Sequence, residues 1–209
     1  MKAIVIGATG TIGSAVKRKF EQAGYEVIGA SRKSEVSVDL EDENSLSRLL
    51  EQAGEVDAIV CAAGTAAFGE LLKLSDKEFK LSINNKLLGQ VKLLQKGLSY
   101  LKPGGSILLT GGIFAYKPMP GAAAIAMVNA ALEGFVRAAA LETEMGKKVI
   151  VIHPPLVAET AKKMGMDATP YLTADEVGET YLEALEHGES GVPYFSKNNK
   201  PVKKMASES

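Results

Sequence analysis

Gly7-Ala8-Thr9-Gly10-Thr11-Ile12-Gly13 stands between an apolar run at residues 2–6 and an amphipathic stretch at residues 12–23. The glycines fall at G-x-x-G-x-x-G spacing. Glycine lets the chain turn tightly and lets a pyrophosphate approach the backbone. A helix starting there offers unpaired N–H groups and the positive end of its dipole. A glycine pattern alone says little. One that follows a strand, opens a helix and precedes a second strand at βαβ distance reads as a dinucleotide-binding loop, with Gly7, Thr9, Gly10, Thr11, Ile12 and Gly13 as candidate contacts.

Working outward, short apolar runs rich in β-branched residues alternate with longer amphipathic stretches. The pattern predicts strands at 2–6, 26–30, 36–38, 56–61, 106–110, 148–152 and 192–195. It predicts helices at 12–23, 43–52, 77–101, 122–144 and 174–187. Such alternation argues for an α/β fold, a Rossmann-type doubly wound and mostly parallel sheet with helices on both faces in three layers. Ser45 and Thr173 fit helix starts, and Thr173-Ala174-Asp175-Glu176 reads as a capping box. Gly24 suits the residue after the first helix. Pro103-Gly104-Gly105 should stop the helix before the fifth strand. Residues 1–195 read as one domain and residues 196–209 as a polar tail carrying Lys197, Lys200, Lys203 and Lys204, a solvated terminus.

The end of the second strand discriminates between cofactors. An NAD site usually places a carboxylate there for the ribose hydroxyls. Here the chain reads Gly29-Ala30-Ser31-Arg32-Lys33. Arg32, with Ser31 and Lys33 beside it, can grip a 2′-phosphate, so the expected cofactor is NADP.

Composition narrows the class. The chain has 209 residues, 46% hydrophobic and 23% charged, with a net charge of −1, which gives no field to draw in nucleic acid or an anionic membrane. A single cysteine, Cys61, excludes an internal disulfide and suits a reducing, cytoplasmic setting. The apolar run before Gly7 is too short for a signal peptide, and no stretch approaches the length of a membrane span. No metal-ligand cluster is expected.

Further segments resemble the short-chain dehydrogenase/reductase family along nearly the whole length. Val38-Asp39-Leu40 looks like its adenine-contacting acidic position, and Cys61-Ala62-Ala63-Gly64 like its N-N-A-G segment. Lys86-Leu87-Leu88-Gly89 resembles the N-x-x-G of its long interface helix. Asn129-Ala130-Ala131-Leu132-Glu133-Gly134, with Ala140-Leu141-Glu142, resembles the helix carrying its active-site lysine. His153-Pro154-Pro155-Leu156-Val157, followed by Thr160, looks like its turn beside the nicotinamide. The resemblance implies a Rossmann-type fold and a homodimer or homotetramer built through the helices at 77–101 and 122–144. It also implies cofactor contacts from Asp39, Leu40, Ala62, Ala63, Gly64, Lys86, Pro154 and Val157.

The family's chemistry uses a tyrosine phenol, a lysine four residues on that favours the phenolate, and a serine that holds the carbonyl. None of the six tyrosines is followed by lysine at that spacing. Laid on the family helix, Ile125 takes the tyrosine position and Asn129 the lysine position. Gly111 or Gly112 takes the serine position, Lys86 the helical asparagine position and Pro155 the turn glycine. Lys86, Thr110 and Tyr116 are candidate substitutes: a cation from another helix, a hydroxyl for the carbonyl, and a phenol on a loop over the pocket. Their plainer readings are a snorkelling lysine, a strand-capping residue and a substrate-wall aromatic. His153 reads as a structural turn histidine. Three functions stay open: an NADP-dependent oxidoreductase acting on a small carbonyl or alcohol, an NADP(H)-binding sensor without turnover, and a structural subunit pairing with an active paralogue.

Overall fold

The computed structural model describes residues 1–196, so the lysines expected in the tail lie outside the described residues. Its elements run β1 (Lys2–Ile6), α1 (Thr11–Gln22), β2 (Glu26–Ser31), β3 (Val36–Ser37), α2 (Glu43–Ala53), β4 (Val56–Cys61), α3 (Asp76–Ser82), a π-helical turn (Ile83–Leu88), α4 (Gly89–Gly97), β5 (Leu101–Thr110), α5 (Ala123–Ala139), β6 (Lys148–His153), α6 (Ala158–Lys163), α7 (Ala174–His187) and β7 (Tyr194–Phe195). The strands form one sheet in the order β3-β2-β1-β4-β5-β6-β7, and every pairing is parallel.

Parallel strands are covered on both faces and therefore read as unbroken apolar runs. In β1, Ile4 and Ile6 enter one core cluster while Ala3 and Val5 enter the other. α2, α4 and α5 close the first face with Leu46, Leu50, Leu93 and Leu132. α1 and α7 close the second with Val16, Phe20, Val177 and Tyr181, spaced four residues apart on each helix. Three layers result.

Several boundaries differ from the sequence expectation. α2 starts after Asp42, whose side chain accepts the Asn44 N–H at 2.9 Å. Ser45 lies inside that helix, where its hydroxyl accepts the Asp39 N–H at 2.9 Å. The helix expected at 77–101 begins one residue earlier under a Ser75–Glu78 capping box, widens to π at Ile83 and resumes as α4. β5 begins at Leu101, opposite Val56, and the sheet register then shifts. Pro103-Gly104-Gly105 thus forms an irregularity within a strand; the helix has already ended. β7 is shorter than expected, and α6 was not foreseen. The Thr173 capping box is present, and Gly24 has φ +85 just past the end of α1. Ser196, assigned to the tail, is buried and accepts from the Thr180 hydroxyl at 3.0 Å. A further correction concerns α5. With the short turn that follows it, the helix spans 20 residues at a mean hydropathy of 1.4, enough by length and composition to cross a membrane. Its buried Leu132 and Val136 instead join the core that covers the sheet.

The strand order reverses between β1 and β4, the place where open α/β sheets receive ligands. Gly7 ends β1 there with φ +89, and a Cβ on it would sit 2.9 Å from the Ala62 and Ala63 backbones. A Cβ on Gly13 would lie 2.0 Å from the Gly7 carbonyl oxygen, so α1 can meet the loop only through glycine. Gly13→Ala is therefore expected to destabilise by at least about 1–3 kcal/mol, the usual range for overpacking, read as a lower urea midpoint with an unchanged slope.

Candidate active site

α1 opens on Gly10 with no side-chain cap and no acidic residue in its first turn. Its leading N–H groups and dipole are left to an anion. Beside them lies a cavity of about 370 Å³ bordered by Gly7, Thr9 and Gly10. Ser31, Arg32 and Lys33 stand on one side, Asp39 and Leu40 on another, and Ala62-Ala63-Gly64 on a third. The Ser31 hydroxyl ties this rim together: it accepts from Thr9 Oγ1 at 3.0 Å and from the Lys33 N–H at 3.1 Å, and donates to Ser34 Oγ at 3.1 Å. Arg32 is exposed and makes no hydrogen bond or ion pair among the described residues. Two candidates fall outside. Thr11 accepts from Lys163 Nζ at 3.2 Å, and Gly13 packs under Gly7.

A second cavity, of about 330 Å³, shares Ala62-Ala63-Gly64 with the first and continues the cleft toward the end of β5. Ile12, Ile125, Pro154 and Val157 give it apolar walls, and Lys86, Asn129 and Thr160 also border it. The expected contacts from Ile12, Pro154 and Val157 thus collect at this end.

Lys86 sits in the π turn, a feature that often marks functional sites. It is 7% exposed, and its neighbour Asn85 is also buried. Asn85 accepts the Thr65 N–H at 2.7 Å and donates to Glu41 at 2.7 Å. Lys86 Nζ donates to the Thr110 carbonyl at 3.2 Å. Gln90, one turn on, brackets the same strand end, giving its amide N–H to that carbonyl at 3.0 Å and accepting the Thr110 N–H at 2.8 Å. No carboxylate lies within ion-pair distance of Lys86 among the described residues. Burial lowers its pKa from 10.5 to about 8.

The other candidate hydroxyls are already engaged. Thr110 Oγ1 donates to the Cys61 carbonyl and pairs with the Tyr181 hydroxyl at 2.7 Å. The Tyr116 phenol donates to Glu133. Its ring lies edge-on to His153 and Phe195, and burial followed by Glu133 raises its pKa. His153 is fully buried at the end of β6, and burial lowers its pKa and keeps it neutral. Its Nδ1 accepts the Gly112 N–H at 3.1 Å. Its Nε2 stands 3.2 Å from Glu133 Oε2, out of line for a hydrogen bond. Asn129 is fully buried and gives its amide to the Gly112 carbonyl at 3.3 Å, while its Oδ1 has no partner.

Residues 11–183 match the family profile described as enoyl-(acyl carrier protein) reductase. A solved Listeria innocua protein is 35% identical, covering 93% of this chain and 98% of that one at a TM-score of 0.86. The chain belongs to the short-chain dehydrogenase/reductase family. A small-chain dehydrogenase solved in complex with NADPH is 27% identical over 93% of this chain and 95% of that one, with a TM-score of 0.82. Among curated proteins, the Escherichia coli cyclic-di-GMP-binding biofilm dispersal mediator is 27% identical over 72% of this chain and 69% of its own length. The chain spans only 46% of an uncharacterised NAD-dependent oxidoreductase of Mycobacterium tuberculosis, at 31% identity over 56% of this chain.

At the inner end of the cleft the loop after β5 is tightly filled. A Cβ on Gly111 would lie 2.7 Å from the His153 ring, and one on Gly112 would lie 2.7 Å from Asn129 Nδ2. The volume of a serine side chain at either position is thus already filled by these two residues. Ile125, matched to the family tyrosine, offers the cavity no proton. Thr110 borders the second cavity with its hydroxyl occupied, and Tyr116, expected over the pocket, lines neither cavity and gives its phenol to Glu133, which leaves Lys86 as the sequence candidate with donors to give. Sequence reasoning missed the roles of Gln90, Glu133 and the Asn129 oxygen. Asn129 and Glu133 did fall four apart on a helix, the one signal that they share a face.

A lysine charged in a site that lowers its pKa destabilises the fold. Below about pH 8 both folded and unfolded chains carry the proton, and the full cost, roughly 3 kcal/mol, stands. Between about pH 8 and 10.5 the folded chain sheds the proton first, so stability rises with pH. Lys86→Met should raise unfolding stability by about 1–3 kcal/mol at pH 7 and abolish that rise, as urea titrations from pH 7 to 10 would read.

Proposed function

We propose that this protein is an NADP-dependent oxidoreductase that moves hydride between the nicotinamide and a small carbonyl or alcohol, with Lys86 as the group that holds the reacting oxygen. The observation that carries this reading is the buried lysine without a counter-ion at the inner end of a cleft whose outer end is a phosphate cradle. The residues suit the cofactor. The uncapped start of α1 accepts the pyrophosphate, Arg32 and Ser31 take a 2′-phosphate, and the orphaned Asn129 Oδ1 accepts a ribose hydroxyl. When bound, NADPH supplies the hydride. Apolar walls from Ile12, Ile125 and Val157 exclude water, which strengthens each polar contact inside. Lys86 donates to the carbonyl oxygen and gives it a proton as negative charge develops there. A proton donor near pKa 8 is better matched to neutral pH than an ordinary lysine.

NADPH should bind more tightly than NADH, and Arg32→Ala should narrow that gap. Fluorescence titration of both cofactors decides it; equal affinities in the wild type count against the NADP assignment. In single-turnover NADPH oxidation, Lys86→Met should lose roughly 10²–10⁴-fold, the usual worth of a positioned acid. Because the protonated lysine is the active form, the wild-type rate should be full at neutral pH and fall at alkaline pH as Lys86 loses its proton.

A second reading, an NADP(H) sensor without turnover, is favoured by the engaged hydroxyls of Thr110 and Tyr116 and by Ile125 at the tyrosine position. Tight NADPH binding with no oxidation by any carbonyl would select it.

The assembly we propose is a homodimer or homotetramer in the cytoplasm. Only a third of the apolar α5 window is buried. Met127 and Leu141 are exposed, and a Cβ on Gly134 would meet nothing within 4 Å. Small residues on that face permit close approach by the same helix of a second copy. Sedimentation at micromolar concentration should show a dimer or larger species, and Gly134→Arg should yield monomer.

A further inference from the structure

The reading of Lys86 as the residue that holds substrate leads to a narrower conclusion about what that substrate is. The Lys86 ammonium carries three N–H donors. Thr110 carbonyl oxygen takes one at 3.2 Å, and no second acceptor lies within reach among the described residues. The charged groups that face it are equally unhelpful. On β4, the Cys61 thiol is held protonated by burial, its pKa pushed up to about 11. On β6, His153 is neutral and would repel the lysine if protonated. A buried cation with two further donors and no opposing charge in the protein is costly, and an anionic ligand beside it would offset that cost.

We infer that the second cavity takes a small 2-oxo carboxylate, or the corresponding 2-hydroxy acid in the reverse direction, with Lys86 bridging the carboxylate and the reacting oxygen. In a 2-oxo acid the keto oxygen and one carboxylate oxygen can lie on the same side of the molecule, close enough for one ammonium to meet both with its two remaining donors. The negative charge answers the unpaired lysine. The hydrocarbon end of the acid rests on the apolar wall formed by Ile12, Phe114, Ile125, Leu156 and Val157. Since a nicotinamide would have to share this cavity of about 330 Å³, the side chain of the acid must be short.

This inference rests on the oxidoreductase reading but is tested separately, by binding. The full chain, alone and with NADP⁺, is titrated calorimetrically with 2-oxobutyrate, with butanone as the uncharged analogue, and with acetate and inorganic phosphate. The expected result is 2-oxobutyrate binding at least 10-fold more tightly than the other three. Near pH 8 it should be accompanied by proton uptake, read from buffers of different ionisation heat. Uptake follows because an anion beside Lys86 favours its charged form. Lys86→Met should lose both the preference and the uptake. Butanone binding as tightly as 2-oxobutyrate overturns the inference. So does acetate or phosphate binding as tightly, which would mean a general anion site. Failure of 2-oxobutyrate to bind, or preference and uptake that survive in Lys86→Met, overturns it as well. None of these outcomes depends on turnover. A protein that binds 2-oxobutyrate as expected but oxidises no NADPH refutes the oxidoreductase reading alone.

Discussion

Two backbones meet at van der Waals limits where β1 and β4 part company, and the cleft exists because of that contact. Gly7 has no room for a Cβ against Ala62 and Ala63, and Gly13 has none against Gly7. With both positions stripped to backbone, α1 starts low and aims its unpaired N–H groups along the sheet edge. Everything that follows in the cleft is placed relative to that start: the Ser31 rim, the shared floor at Ala62-Ala63-Gly64, and the apolar walls beyond it. The constraint is steric rather than energetic in origin, since no attractive contact at Gly7 would compensate for a side chain there.

The inner end of the cleft follows a logic of volume. His153 fills the space over Gly111, and Asn129 fills the space over Gly112, so the loop after β5 can carry no side chain at either position. The same two residues satisfy the Gly112 N–H and carbonyl, which a loop that close to a cavity needs from some source. Glu133 extends the set by taking the Tyr116 phenol. A polar cluster thus braces the loop that bears Ile113 and Phe114 into the cavity, and it engages the phenol that the sequence made a candidate for proton transfer. Lys86 arrives from the opposite wall, on a helix that reaches the site by leaving α geometry.

Much of this was legible in the residues. The glycine spacing and the alternation of apolar runs with amphipathic stretches place all seven strands and every helix but α6, with α3 and α4 read as one, because both signals are local. Ser31 and Arg32 could be placed at the cleft from the end of the second strand, and Asp39 and Ala62-Ala63-Gly64 from the family resemblance. What escaped depends on contacts distant in sequence. Whether the Thr110 hydroxyl faces the cavity is settled by Tyr181, 71 residues away. The fate of Tyr116 is settled by Glu133. Ser45 reads as a cap by type, yet Asp42 was nearer the true helix start and Ser45 was needed to hold Asp39. The irregular start of β5 was hidden because Pro103-Gly104-Gly105 reads as a terminator, and only pairing of Leu101 with Val56 brings the segment into the sheet.

The π turn at Ile83–Leu88 has a bearing on how such a site is gained or lost. A π turn holds one residue more than the α turn it replaces. In an α-helix each residue advances about 100° around the axis, so without the extra residue the part of the helix beyond it would turn by about that much relative to α3. A single-codon deletion in this stretch would restore α geometry and carry the cation away while leaving the composition of the helix almost intact. A single-codon insertion would do the reverse. Aligned chains that differ here by one residue in length therefore differ in kind, and a gap in such an alignment is as informative as a substitution at Lys86 itself.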